Sequence, residues 1–124
     1  MTDETLTNEG GVLYAVKDAA NRFNKGKLEW HLLPLMCLVD CVRVFTYGRD
    51  KYSEWDWIKG ASWIVQYDCL MRHMQAWYER EDDDPESALP HLGHAMCNLV
   101  MLSFYTKFFK DRDDRPTFPK GEKE

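Results

Sequence analysis

The chain has 124 residues, a formal net charge of -5, 44% hydrophobic and 30% charged residues. Length and apolar content suit one modest core, and no basic stripe offers a nucleic-acid backbone its usual cationic surface. Apolar stretches are broken by Asp40, Arg43, His94 and Asn98, short of the roughly 20 uninterrupted residues of a membrane span.

Residues 1–11 are acidic and aperiodic, unlike a basic secretory leader, and are expected to be a flexible start of a cytoplasmic protein. Val12, Leu13, Ala15, Val16, Ala19, Ala20 and Phe23 then recur at helical spacing and predict a short amphipathic helix. From about Pro34 to Tyr52 the residues Leu35, Leu38, Val42 and Phe45 repeat at three to four, with Pro34 suited to a first turn. Gly48 and the charged residues after it end this helix near Tyr52.

A loop carrying Trp55, Trp57 and Gly60 follows. The next helix is predicted from Ser62, a capping residue, to about Arg80. The acidic stretch Glu79 to Glu86 places six carboxylates in eight positions and breaks at Pro85. A third long helix runs from about Leu89 to Phe109, with Pro90 tolerated only at its start. Residues 111–124 read as a flexible charged tail.

The expectation is an all-α fold: three long helices and a short N-terminal one forming a domain over residues 12–110. So few helices do not easily enclose both a core and a polar cleft, so a homodimer or homotetramer is expected. Cys37, Cys41, Cys69 and Cys97 fall in apolar helical patterns and read as reduced core residues. Cys37 and Cys41 are four apart, yet a structural zinc site wants four ligands.

Polar residues on these helices carry the functional reading. His91, His94 and Asn98 stand at i, i+3 and i+7 and so share a face. A solvated stripe or a histidine pair at a subunit contact would look the same. Arg72 and His73 lie on the second helix, whose C-terminal end meets Glu79, Glu81 and Asp82, where the macrodipole disfavours negative charge. A divalent cation would offset it, and Glu81 with Asp84 has a spacing suited to magnesium or manganese. A solvated acidic loop is the plainer alternative. Asp40 and Arg43 are placed to pair with each other. Lys51 and Lys59 flank Trp55 and Trp57, combining cations for phosphate with rings for a base; tryptophans in a loop also plug cores.

Taken in order, Tyr47-Gly48, Lys51-Tyr52, Trp57 with Lys59-Gly60, Arg72-His73, Trp77, Glu81, Asp84-Pro85-Glu86-Ser87, His91-Leu92, His94-Ala95 and Asn98 resemble the dATP/dGTP diphosphohydrolases. These are the MazZ-like phage and bacterial branch of the all-α MazG-type nucleotide pyrophosphohydrolases. The resemblance spans about residues 27–102. Arg80 and Ala88 stand where its pattern leads one to expect glycine, and the Glu-x-x-Glu pair typical of MazG enzymes is missing from the first long helix.

The resemblance implies an oligomeric helical bundle whose metal-dependent cleft hydrolyses a purine (deoxy)nucleoside triphosphate, dGTP or dATP, between the α- and β-phosphates. Mg2+ or Mn2+ would be held by Glu81, Asp84 and His94, with Glu79, Asp82 and Glu86 as further carboxylates. Arg72, His73 and Lys51 would be catalytic, neutralising charge on the leaving pyrophosphate. Tyr52, Trp57, Lys59, Asn98 and His91 would bind substrate. The same scaffold would also serve a protein that binds a nucleotide without cleaving it, and a helical interaction module is a further alternative. No His-Asp dipeptide occurs, which argues against His-Asp phosphohydrolase chemistry.

Overall fold

The computed structural model describes residues 20–121 with their side chains, together with the backbone of residues 3–8 and 11–16. The chain divides into two units, 1–34 and 35–124.

In the first unit, β1 (Asp3–Asn8), β2 (Gly11–Val16) and β3 (Arg22–Phe23) form an antiparallel sheet in that order. Its register pairs Leu6 with Leu13 and Asn8 with Gly11, and Leu13 with Phe23. The short amphipathic helix expected over Val12 to Phe23 is therefore corrected to strand at Gly11–Val16 and Arg22–Phe23, and Asp3–Asn8 pairs with the first of these. Thr5, Thr7, Val12, Tyr14 and Val16 favour a pleated backbone, and the flanking Gly10-Gly11 pair disfavours helix. Residues 17–19 lie outside the described set. A 3-10 turn, Trp30–Leu32, follows.

The second unit is the helical bundle: α1 (Val39–Lys51), α2 (Trp63–Tyr78) and α3 (His91–Phe108), with α3 packed against both others. A 3-10 turn at Leu35–Leu38 leads into α1. Gly93 of α3 is buried and sits so close to α1 that a Cβ there would come 2.8 Å from the Asp40 carbonyl oxygen. The missing side chain thus sets the approach of these helices. Beneath it lies a core of Cys41, Val44 and Cys97, joined by Phe45, Leu89, Met96 and Met101. Asp40 and Arg43 pair as expected, at 2.9 Å.

Of the four cysteines read as core residues, Cys41 and Cys97 are buried and Cys69 is half-buried, whereas Cys37 is exposed. It lies in the 3-10 turn, where the α-helical spacing used to place it inside does not apply.

Ser62 caps α2, its hydroxyl accepting from Val65 N at 3.2 Å. Asp114 accepts both from that hydroxyl and from Ile64 N, placing a carboxylate where the positive helix end favours it. Arg112 donates to Lys59 O at 2.8 Å and Arg115 lies over the Trp63 ring. The segment expected to be a loose tail from 111 onward therefore docks on the bundle at least as far as Arg115. Among the described residues no helix is long and apolar enough to cross a membrane.

Candidate functional site

The loop between α1 and α2 is built around Trp57. Its ring meets Phe45 at 5.6 Å and Phe104 at 5.2 Å between centroids, and its carbonyl accepts from the fully buried Tyr105 hydroxyl at 2.6 Å. Trp55 (φ 63°) and Gly60 (φ 95°) turn the backbone on either side. At Gly60 a Cβ would collide with the Arg112 guanidinium. Such a loop is rigid, and it holds one wall of a cleft.

The acidic connection between α2 and α3 is equally ordered. Asp84 N donates to Leu89 O and His91 N to Asp82 O, each at 2.8 Å, while the Asp84 carboxylate accepts from Glu86 N at 2.9 Å. Arg80 (φ 76°) and Ala88 (φ 59°) both adopt left-handed backbone, the conformation in which glycine is least strained. Folded this way, Asp84 points inward from a run otherwise exposed; its side chain is 19% exposed.

Between these loops opens a cleft of about 1040 Å³. Lys51, Tyr52 and Trp57 line it, and α2 contributes Gln66, Arg72 and His73. Asp84 and Glu86 enter from the acidic loop and His94 and Asn98 from α3. Thus Lys51, Tyr52, Trp57, Arg72, His73, Asp84, His94 and Asn98 of the expected site come together. Lys59 does not: it pairs with Asp56 at 3.1 Å, outside the lining.

Within the cleft, His73, Asp84 and His94 each present a ligand atom within 4.8 Å of the others. The two imidazoles stack with centroids 4.5 Å apart and planes 7° apart. Burial lowers the pKa of both, reinforced at His73 by its histidine neighbours and opposed at His94 by Asp84. Neutral rings keep a nitrogen lone pair available.

Hydrogen bonds orient the rings. Ser87 Oγ accepts from Leu89 N at 3.2 Å and lies 2.7 Å from His94 Nε2. Asp84 Oδ2 is 3.5 Å from the same nitrogen. His73 Nδ1 lies 2.8 Å from His91 Nδ1, and His91 Nε2 lies 2.8 Å from Glu81 Oε1. Sequence spacing grouped Glu81 with Asp84. In the fold Glu81 instead faces the buried His91, with its own side chain 55% exposed, and neither residue lines the cleft. Sequence spacing does not group His73 with Asp84 and His94, because it stands on a different helix from the His91 to Asn98 row; its neighbours on α3 are visible only once α2 and α3 pack.

Farther along α3, Asn98 Nδ2 donates to Gln66 Oε1 at 2.9 Å, while Asn98 Oδ1 is buried without a partner. Lys51 Nζ pairs with Glu86 Oε1 at 2.8 Å, which raises the lysine pKa. Arg72 donates to Cys69 Sγ at 3.2 Å, spending little of its hydrogen-bonding capacity.

Residues 17–115 match the family model described as dATP/dGTP diphosphohydrolase, N-terminal. The chain belongs to this family. It is 27% identical over 94 residues to a dATP/dGTP diphosphohydrolase of Salmonella phage PMBT28, a match covering 76% of the chain and 32% of that protein. The chain thus spans only about a third of this curated relative. No solved structure matches. The family resemblance read from the ordered motifs is borne out, and those motifs supply about half of the cleft lining.

Proposed function

We propose that the cleft binds a purine deoxynucleoside triphosphate, dATP or dGTP, and that the chain hydrolyses it to monophosphate and pyrophosphate with a divalent metal. The observation that carries this reading is the combination of groups in one cleft: cations and a compact His-His-Asp cluster together with aromatic rings and an unpaired buried amide oxygen. A nucleotide needs the same combination, phosphates met by cations and metal and a flat base with amino donors met by rings and an acceptor.

Lys51 and Arg72 hold the phosphates, where their positive charge favours the departing pyrophosphate. Tyr52 offers an exposed ring and Trp57 a fixed apolar wall for the base. Asn98 Oδ1 accepts from an exocyclic amino group of the purine, relieving an acceptor that is costly to leave unmatched.

His73, Asp84 and His94 would hold the divalent ion. Their two nitrogens and one oxygen suit manganese among the expected ions better than magnesium, which prefers oxygen donors. Bound there, such an ion would screen phosphate charge and lower the pKa of water. The nearby Trp57, Phe45 and Tyr105 limit bulk water on the opposite wall.

A second copy of the chain is the expected partner. Val42 on α1, Met71 on α2 and Leu99 on α3 are 61%, 46% and 52% exposed, apolar surface of the kind a homodimer or homotetramer covers.

The test is incubation of the purified chain with each common deoxynucleoside triphosphate and ribonucleoside triphosphate, with manganese or magnesium, followed by chromatographic separation of products. Monophosphate with equimolar pyrophosphate from dATP or dGTP is expected. Intact nucleotide throughout, with stoichiometric binding, overturns hydrolysis in favour of a nucleotide-binding protein. That second reading draws on α1, which lacks the Glu-x-x-Glu pair and carries only Asp40 and Asp50 as acids.

A further inference from the structure

We infer that Glu81 and His91 are positioning residues that fix the tautomer of His73, making the His73, Asp84 and His94 cluster a site for a first-row transition ion in preference to magnesium. This deepens the metal-binding part of the reading above and rests on it.

The argument runs outward from a carboxylate. Glu81 is acceptor-only when ionised, so the His91 Nε2 that faces it at 2.8 Å carries the proton. With the Nδ1 lone pair of His91 turned to His73, the His73 Nδ1 that meets it at 2.8 Å is the donor, which leaves His73 Nε2 unprotonated. One exposed carboxylate therefore sets two tautomers in series through a histidine only 6% exposed. Ser87 Oγ, which accepts from Leu89 N, lies 2.7 Å from His94 Nε2 and holds the orientation of the other ring. His73 is thereby held as a nitrogen donor beside Asp84 and His94.

Two imidazoles and one carboxylate form a donor set that favours manganese, cobalt, iron or zinc over magnesium, whose tightly held waters yield reluctantly to nitrogen. Partners that orient a ligating histidine are worth about ten- to a hundredfold in metal affinity. Glu81 is the informative position because its side chain is more than half exposed and its removal creates no core cavity.

The experiment is a titration of the metal-free full chain with Co2+, read by visible d–d absorption without nucleotide. It is made on the native protein and on Glu81→Ala, Glu81→Gln and His73→Ala, with circular dichroism to verify folding. Expected is one Co2+ per chain, no band in His73→Ala, and affinity weakened about ten- to a hundredfold in Glu81→Ala. Glu81→Gln, whose amide oxygen still accepts from His91, recovers most of it. Magnesium in large excess leaves the band in place. In parallel, 15N chemical shifts of the metal-free protein show His73 as a single tautomer protonated at Nδ1, and as a mixture in Glu81→Ala.

Absence of any Co2+ band in the native protein overturns the metal site and the reading it rests on. Undiminished binding and an unchanged tautomer in Glu81→Ala overturn the relay alone, leaving that reading intact. Displacement of Co2+ by comparable magnesium overturns the preference.

Discussion

The Lys51 ammonium lies 2.8 Å from the Glu86 carboxylate and ties the last turn of α1 to the loop before α3, two lining elements of the cleft. Both side chains are substantially exposed, so the pair adds little to folding. Its consequence is functional: Glu86 occupies the cation that a phosphate would use. Glu86→Gln is expected to leave the melting temperature unchanged and to tighten triphosphate binding several-fold, by removing a competing negative charge. Lys51→Ala is expected to weaken binding roughly tenfold or more. Isothermal titration of both variants is the check, and equal affinities would remove Lys51 from the phosphate site.

Asn98 supplies a prediction in which stability and binding move apart. Its Oδ1 is buried without a partner, a condition that costs about 1 to 3 kcal/mol. Asn98→Leu keeps the volume and removes that orphan, while Gln66 loses a donor but remains half-exposed to water. Chemical denaturation is expected to show equal or greater stability, by up to about 1 kcal/mol, together with loss of purine discrimination. Retained preference between dATP and a pyrimidine triphosphate would show that Asn98 does not read the base.

How much of this was legible in sequence depended on where each interaction lay along the chain. The three long helices were readable because their apolar spacing and the Ser62 cap are local signals, as was the Asp40 to Arg43 pair. Val12 to Phe23 misled because Val12, Leu13, Ala15 and Val16 satisfy a helical spacing, while the strand pairing that decides their state comes from Asp3–Asn8. In the acidic run, spacing offered several carboxylates of equal standing. Only the turn geometry shows that Asp84 faces the cleft and Glu81 faces His91. The His73 contact spans 18 residues and two helices, with no short-range signature.

Arg80 and Ala88 stand where the family pattern suggested glycine, and both have positive φ. Left-handed backbone costs a residue with a Cβ about 1 to 2 kcal/mol, partly offset in a glycine variant by the entropy of a freer unfolded chain, about 0.5 to 1 kcal/mol. Arg80→Gly and Ala88→Gly are each expected to stabilise the fold by roughly 0.5 to 1 kcal/mol. Urea denaturation of the single and double variants measures this. Destabilisation by both would show that side-chain contacts at these turns outweigh backbone strain.

The thiols differ in burial, and labelling should follow it. Burial pushes the Cys97 thiol up to about 12 and raises Cys41 as well, so neither offers thiolate at neutral pH. Cys37 is exposed. Under native conditions an alkylating reagent is expected to modify Cys37 first and Cys69 more slowly, with Cys41 and Cys97 reacting only after unfolding. Peptide mapping by mass spectrometry reads the order, and early modification of Cys97 would contradict the packing of α1 against α3.

The histidine cluster predicts how stability varies with pH. Burial lowers the pKa of His73 and His94 in the folded chain, whereas an unfolded histidine titrates near ~6.5. Between those values the unfolded chain binds more protons, so stability falls as pH falls. Above the unfolded value both states are neutral and these groups contribute no slope. The carboxylates with lowered pKa act in a separate window: Asp113, held down to about 2 chiefly by its hydrogen bond from Arg115, loses its contribution only as pH drops below the ordinary carboxylate range. The metal-free melting temperature is therefore expected to be level from about pH 7 to 8 and to decline from about pH 6.5 to 5. The decline should be shallower in His73→Gln, which cannot take up a proton. A level profile down to pH 5 would mean that the two rings accept protons freely in the folded state, and the closely stacked, partly desolvated arrangement would have to be given up.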